Sequence, residues 1–278
     1  GGLAVGGSAT VVFTTTTSSP GDIVIFASAL STDAVPVDPN IVDNSGQIAV
    51  GVAEEFSLGA VQVLGNAEVR SIAAGDVDGD GDIDLVAPTS SGNINVLLNN
   101  GNGTFAAPST FSFSGTIFSA SAVELGDYDG DGNLDVAATV GFGVGTVAIL
   151  SNDGNGNFST STSFATNSNS GSSDVEAADI DGDGDLDLLV TKNFFQTDVV
   201  VLRNNGNGTF AAPTTVTVDG APSSITAGDL DGDGDVDLAV GIAGGISVVL
   251  NNGNGTLGTS TAFSGPAFFQ DANDIGIA

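Results

Sequence analysis

The chain of 278 residues contains no cysteine, histidine, methionine or tryptophan, a single tyrosine, and three cationic side chains, Arg70, Lys192 and Arg203. Each absence excludes chemistry. Without thiolate or imidazole there is no Ser-His or Cys-His nucleophile, no zinc site of the usual nitrogen and sulfur type, and no haem or iron–sulfur ligation. Three cations cannot neutralise a row of phosphates, so nucleic acid and anionic membrane surfaces are excluded as partners. The uncharged, largely apolar stretch 136–150 is about 15 residues, rich in Gly and Thr, and short of the ~18–20 needed to span a bilayer, so no membrane insertion is expected. The start shows neither an initiator Met nor a basic, apolar leader, so a processed or excised N-terminus of a soluble, exported chain is expected.

What is present is acid. Asp and Glu number 34, the formal net charge is -31, and the natural counterpart of such a chain is a cation. A hydrophobic fraction of 41% is still enough to bury a core, so the acidity does not imply disorder. The charge is concentrated in a repeat. DVDGDGDID at 76–84 returns as DYDGDGNLD at 127–135, DIDGDGDLD at 179–187 and DLDGDGDVD at 229–237, with starts 51, 52 and 50 residues apart. After each copy come an apolar strand, a second strand read as ending at Leu98, Leu150, Leu202 or Leu250, and an Asn/Gly turn at 99–105, 152–158, 204–210 or 251–257. Asn-Gly is a strong hairpin signal because the favoured turn needs positive φ at both central residues. Each repeat therefore reads as a small antiparallel sheet.

Strands such as Val199-Val200-Val201-Leu202 are apolar on both alternations and must be covered on both faces. Repeated sheets of about 50 residues stacked face to face describe an all-β protein, a β-propeller, with a linear stack of sheets as the competing arrangement. The flanks hold degenerate copies: 46–64 aligns without gaps on 132–150, and 3–13 resembles 238–250. The expectation is a single domain, 1–278, of about six blades. In it 1–75 forms two degenerate blades, 76–257 the four acidic-loop repeats, and 258–278 a partial blade that closes the ring or completes another molecule.

The spacing D-x-D-x-D-G-x-x-D suits Ca²⁺, which takes 6–8 hard oxygen ligands in a tight loop that Gly at position 6 allows to turn. The expected side-chain ligands are the first, third, fifth and ninth positions: Asp76, Asp78, Asp80 and Asp84; Asp127, Asp129, Asp131 and Asp135; Asp179, Asp181, Asp183 and Asp187; Asp229, Asp231, Asp233 and Asp237. Position 7, occupied by Asp82, Asn133, Asp185 and Asp235, is expected to ligate through its main-chain carbonyl. An EF-hand needs a bidentate Glu at position 12, where Ala87, Ala138, Val190 and Val240 stand, so that fold is excluded. Nineteen of the 34 acidic residues lie in these loops, and about four Ca²⁺ ions are expected.

These units resemble the FG-GAP or VCBS repeats of integrin-α-type β-propellers, with Phe105-Ala-Ala-Pro108 and Phe210-Ala-Ala-Pro213 as reduced forms of the namesake elements. The resemblance covers Asp76 to Leu257 well and the flanks weakly. It implies that the acidic loop joins adjacent strands and binds Ca²⁺, and that the protein is an exported microbial propeller. Its expected role is that of a non-enzymatic structural or adhesive surface module, in one form self-assembling into a fibre. Glycan-binding propeller and accessory domain of a polysaccharide-degrading enzyme are the alternatives. The partners so implied are calcium, the protein itself, and surface glycans or proteins.

Weaker signals have bland explanations. Asn102, Asn157, Asn207 and Asn254 match the N-glycosylation acceptor pattern but sit where hairpin turns want Asn. Glu54-Glu55 is the only adjacent Glu pair, yet neighbours on a strand point to opposite faces. Several Phe residues recur at repeat positions that suggest core packing, and Phe194-Phe195 and Phe268-Phe269 are the exceptions, the candidates for exposed patches.

Overall fold

Strand-forming segments of the repeat condense into four sheets of four antiparallel strands, each in sequential order. The computed structural model describes residues 70–89, 91–113, 120–140, 145–166, 171–192 and 196–264. By its contacts the chain divides after residue 63, and all described residues fall in the second unit. The expected degenerate blades of 1–75, apart from 70–75, the closing segment from 265 onward, Glu54-Glu55, Phe194-Phe195 and Phe268-Phe269 lie outside the described residues.

The first blade contains β1 (Ala73–Gly75), β2 (Asp84–Pro88), β3 (Asn93–Leu97) and β4 (Ser109–Ser112). The second contains β5 (Ala120–Gly126), β6 (Asp135–Val140), β7 (Thr146–Asn152) and β8 (Phe158–Ala165). The third contains β9 (Ser172–Ala178), β10 (Asp187–Lys192), β11 (Asp198–Leu202) and β12 (Thr214–Thr217). The fourth contains β13 (Pro222–Gly228), β14 (Asp237–Ile242), β15 (Gly245–Val249) and β16 (Thr261–Ser264).

Composition explains which strands are central. β10 and β14 are apolar on both alternations and buried along their whole length, whereas the Ser/Thr-rich β4, β12 and β16 form exposed outer edges. The two-residue period divides each middle strand between two cores. Val136, Ala138 and Leu150 pack toward Val86, Ile94 and Val96 of the first blade. Ala137 and Ile149, one residue out of phase, pack toward Val190, Val200 and Leu202 of the third. Leu189 and Val201 then meet Leu238, Val240 and Val249 of the fourth. The first strands stand side by side, β5 between β1 and β9, and β9 against β13. Sheets stacked through such shared cores with their first strands adjacent are consecutive blades of a β-propeller.

One sequence alignment is corrected by the pairing. Leu97, Leu150, Leu202 and Val249 are equivalent, each opposite the residue after the last Asp of its loop, so Leu98 and Leu250 belong one residue later than their Leu identity implies. Register follows backbone hydrogen bonds and the buried face, and a one-residue slip would turn every side chain to the wrong side. Leu250, placed beyond the buried register, is 41% exposed.

Candidate metal centres

Each acidic loop connects the first two strands of its blade, and its carboxylates first hold the loop itself. The position 1 carboxylate accepts the N–H of positions 4 and 6: Asp76 takes Gly79 N at 2.8 Å and Gly81 N at 2.9 Å, and Asp127, Asp179 and Asp229 repeat the pattern. Glycine is required at both positions, with φ of 78° and 92° at Gly79 and Gly81. The buried position 9 Asp ties three segments together. Asp187 accepts Ile180 N at 3.2 Å and Asn204 N at 2.8 Å, joining the loop to the turn after β11, and Asp84, Asp135 and Asp237 do the same in their blades.

Positions 1, 3 and 9 come together. Asp76, Asp78 and Asp84; Asp127, Asp129 and Asp135; Asp179, Asp181 and Asp187; and Asp229, Asp231 and Asp237 each offer one oxygen within 4.8 Å of the others. Position 5 does not join the group. The carboxylates of Asp80, Asp131, Asp183 and Asp233 turn back to accept the N–H of position 7 at 2.8–3.0 Å. The position 7 side chains of Asp82, Asn133, Asp185 and Asp235 lie over Gly101, Gly154, Gly206 and Gly253, away from the loop centre.

The electrostatics of these groups favour a cation. Burial lifts Asp135 and Asp187 to about 6, with the charges of Asp129 and Asp131, or Asp181 and Asp183, adding to it against the N–H bonds they accept. Asp78 and Asp231 are also raised, by lost hydration first and then by the acidic residues of their own loops. Asp181 Oδ1 is buried without a hydrogen-bond partner. Hard carboxylate oxygens, like charges in close array and an orphaned buried oxygen fit a divalent cation, which would neutralise the loop and draw its ends together.

The sequence reading missed the clamp between blades. Asn152 Nδ2 donates to Val77 O at 2.7 Å, Asn204 Nδ2 to Tyr128 O at 2.9 Å, and Asn251 Nδ2 to Ile180 O at 2.7 Å. In each case the acceptor is the second residue of the preceding blade's acidic loop, so each of these three turns grips the loop before it. The available signal was an Asn directly after the second strand of every repeat. Asn102 and Asn207 spend their side-chain oxygens on the N–H and hydroxyl of Thr104 and Thr209, a turn-building role.

Also missed were three acids on the first strands. Asp174 accepts Ile225 N at 3.0 Å and Glu176 accepts Ala227 N at 3.3 Å, which stitch β9 to β13. Glu124 on β5 is pushed up to about 7, by burial first and then by Glu176 and Asp174. Glu124 and Glu176 stand 52 residues apart, each three residues before its acidic loop, and that shared phase was the signal available; Asp174 has no such counterpart.

A row of four-stranded blades, each with an acidic loop between its first two strands, defines the class: a β-propeller with loops suited to cations. Residues 76–138, 139–190 and 193–240, more than half of the chain, match the FG-GAP-like repeat, and 221–260 match the FG-GAP repeat. The chain belongs to the FG-GAP-like repeat family. No curated protein matches it. Solved structures similar to it include an Agrocybe aegerita lectin described as recognising non-reducing terminal N-acetylglucosamine, at 24% identity and TM-score 0.48 over 71% of this chain and 52% of that one. The V. cholerae biofilm matrix protein Bap1 follows at 21% identity and TM-score 0.43, over 69% of this chain and 28% of that one. A Photorhabdus luminescens Tc holotoxin pore is similar at 20% identity and TM-score 0.41, over 71% of this chain and 9% of that one. The chain thus spans about half of the lectin and less of the others, and none of these likenesses assigns it a function. Among the described residues no helix is long and apolar enough to cross a membrane.

Proposed function

We propose that the protein is a calcium-stabilised β-propeller module that works outside the cell as a structural or adhesive element rather than as an enzyme. The observation that carries the reading is the fourfold recurrence of three carboxylates within 4.8 Å, each group holding the ends of one blade's first two strands. Carboxylates so placed repel one another by several kcal/mol per pair even at an effective dielectric of ~20, and a divalent ion reverses the sign. Extracellular calcium modules bind at roughly 10⁻⁴–10⁻³ M, matched to a calcium-rich medium rather than to the cytosol. Acids outside the loops also serve structure, since Asp174 and Glu176 accept backbone N–H groups of the next blade.

Self-assembly is supported by where apolar side chains remain exposed. Ile72 and Ile83 belong to the first described blade, and Leu230, Leu250 and Phe263 to the fourth, at 39–59% exposure. At the shared cores the equivalents of Ile72 and Leu230 are buried: Leu230 corresponds to Val77, Tyr128 and Ile180, all at most 2% exposed. The two faces are those on which a further blade or a second copy packs.

Thermal unfolding with millimolar calcium and with chelator tests the metal reading, Mg²⁺ serving as control. The expected result is a Tm raised by calcium, since filling one site at a hundredfold excess over its Kd adds about 2.7 kcal/mol. An unchanged Tm refutes it. Electron microscopy and sedimentation with and without calcium test assembly, and particles of one copy under every condition refute that part.

A further inference from the structure

The four loops share one motif but differ in what stands beside their third position. The residue before the clamping Asn is Leu98, Ser151, Arg203 or Leu250 in the four blades. Backbone pairing places three of them alike: the carbonyls of Leu98, Arg203 and Leu250 accept the N–H of Ala106, Ala211 and Gly258 at 2.7–2.8 Å. From this place the side chain reaches over the loop of its own blade toward the turn of the next. A Cβ built on Gly156 would lie 3.0 Å from Leu98 Cδ2 and 3.5 Å from Asp78 Cβ, and one built on Gly255 would lie 3.1 Å from Arg203 Nη2, beside Asp181. Where the first loop has a hydrocarbon, the third has a guanidinium.

The guanidinium takes hold of the loop. Arg203 Nε lies 3.2 Å from Asp181 Oδ2, and Nη2 donates to Gly255 O in the fourth blade. The third loop is rearranged in step. In the first, second and fourth loops the third-position Oδ1 accepts the N–H of position 5, as Asp78 from Asp80, Asp129 from Asp131 and Asp231 from Asp233, at 3.2–3.3 Å. In the third loop Asp183 N donates to Asp179 Oδ1 at 3.1 Å, a bond that Asp131 N also makes to Asp127 in the second, but the bond to the third position is missing and Asp181 Oδ1 is left buried without a partner.

We propose that Arg203 acts as a resident counter-ion of the third loop, making it the weakest of the four calcium sites and holding it, and its junction with the fourth blade, in place when calcium is absent. The proposal rests on the calcium reading above. Two physical effects carry it. A fixed positive charge bonded to a ligand oxygen repels an incoming divalent cation and competes for that oxygen, and the pair has already removed part of the repulsion that calcium relieves elsewhere. The bridge to Gly255 O spans two blades, so the junction between the third and fourth blades is the one least dependent on the ion. The module would then lose its calcium in stages, from the third loop first.

Isothermal titration of the whole chain with calcium, and chelator-treated melting curves, test this on the unaltered protein, Arg203→Leu, which matches Leu98, and Arg203→Ser, which matches Ser151. The unaltered chain is expected to show one site weaker than the others by about tenfold or more, and both variants to bring that site into the tighter class. In chelator both variants are expected to melt lower than the unaltered chain, yet to gain more from calcium. A weak class that survives both substitutions, or four equal sites in the unaltered chain, overturns the proposal while leaving the calcium reading intact. No calcium response in the unaltered chain overturns both.

Discussion

Replacing Asn204 by Ala isolates the clamp between blades. The side chain is 5% exposed and makes three hydrogen bonds: Nδ2 to Tyr128 O at 2.9 Å and to Leu186 O at 3.1 Å, and Oδ1 from Gly206 N at 3.1 Å. Tyr128 O keeps a second donor, Gly208 N at 2.9 Å, so the variant orphans chiefly Leu186 O and Gly206 N. At about 1 kcal/mol net per lost bond and about 1–3 for a buried group left unpaired, the expected loss is about 3 kcal/mol. At about 2–4 °C per kcal/mol for a domain of this size, Tm should fall by about 6–12 °C. Asn99 occupies the same place in the first blade, but its described bonds stay within that blade and are exposed, to Ile83 O at 3.0 Å and from Gly101 N at 3.1 Å. Asn99→Ala is therefore expected to cost about 1 kcal/mol or less. Urea unfolding of both variants at saturating calcium measures the contrast. Equal losses, or a loss at Asn204 below about 1 kcal/mol, would refute the reasoning that these side chains hold successive blades together.

Three further outcomes are open to measurement. A Cβ on Gly126 would lie 2.9 Å from Leu186 Cδ1 and 3.0 Å from Tyr128 Cζ, so Gly126→Ala should cost about 1–3 kcal/mol, and Leu186→Val should restore part of it. The third blade already uses that combination, with Ala178 and Val236 in one core, and a double variant no better than the single would contradict the account. Glu124 is held at about 7, above its unfolded value, so its share of stability is present at low pH and is lost as pH rises through about 7. Glu124→Gln should raise the free energy of unfolding at pH 8 by about 1–2 kcal/mol after allowance for its partial exposure, and change little at pH 5; a uniform change at both pH values would contradict this. Asp135 and Asp187 are lifted to about 6 without a cation, so calcium binding must release protons and its affinity should fall as pH drops below about 6, which titration at pH 5 and pH 7.5 would detect.

Much of this protein was legible from residue order. A recurring nine-residue acidic loop, β-branched runs apolar on both alternations and Asn/Gly turns prescribe four small sheets stacked through shared cores, because local spacing alone sets turn type, strand period and which faces avoid water. The same local rules named the carboxylates of positions 1, 3 and 9, which are close in sequence and converge when the loop turns at its two glycines. Tertiary structure decided what depends on neighbours distant along the chain. The true register of Leu97 and Val249 follows from cross-strand pairing, and the grip of Asn204 on Tyr128 O spans 76 residues. Position 5 stood in the motif like any ligand, yet Asp80 lies outside the converging group of three and one of its oxygens accepts Asp82 N within its own turn. Arg203, one of three cations in the sequence, shows its place only when the fourth blade brings Gly255 against the third loop. A repeat specifies each blade through short-range geometry, whereas the differences among its copies acquire meaning only at the contacts between them.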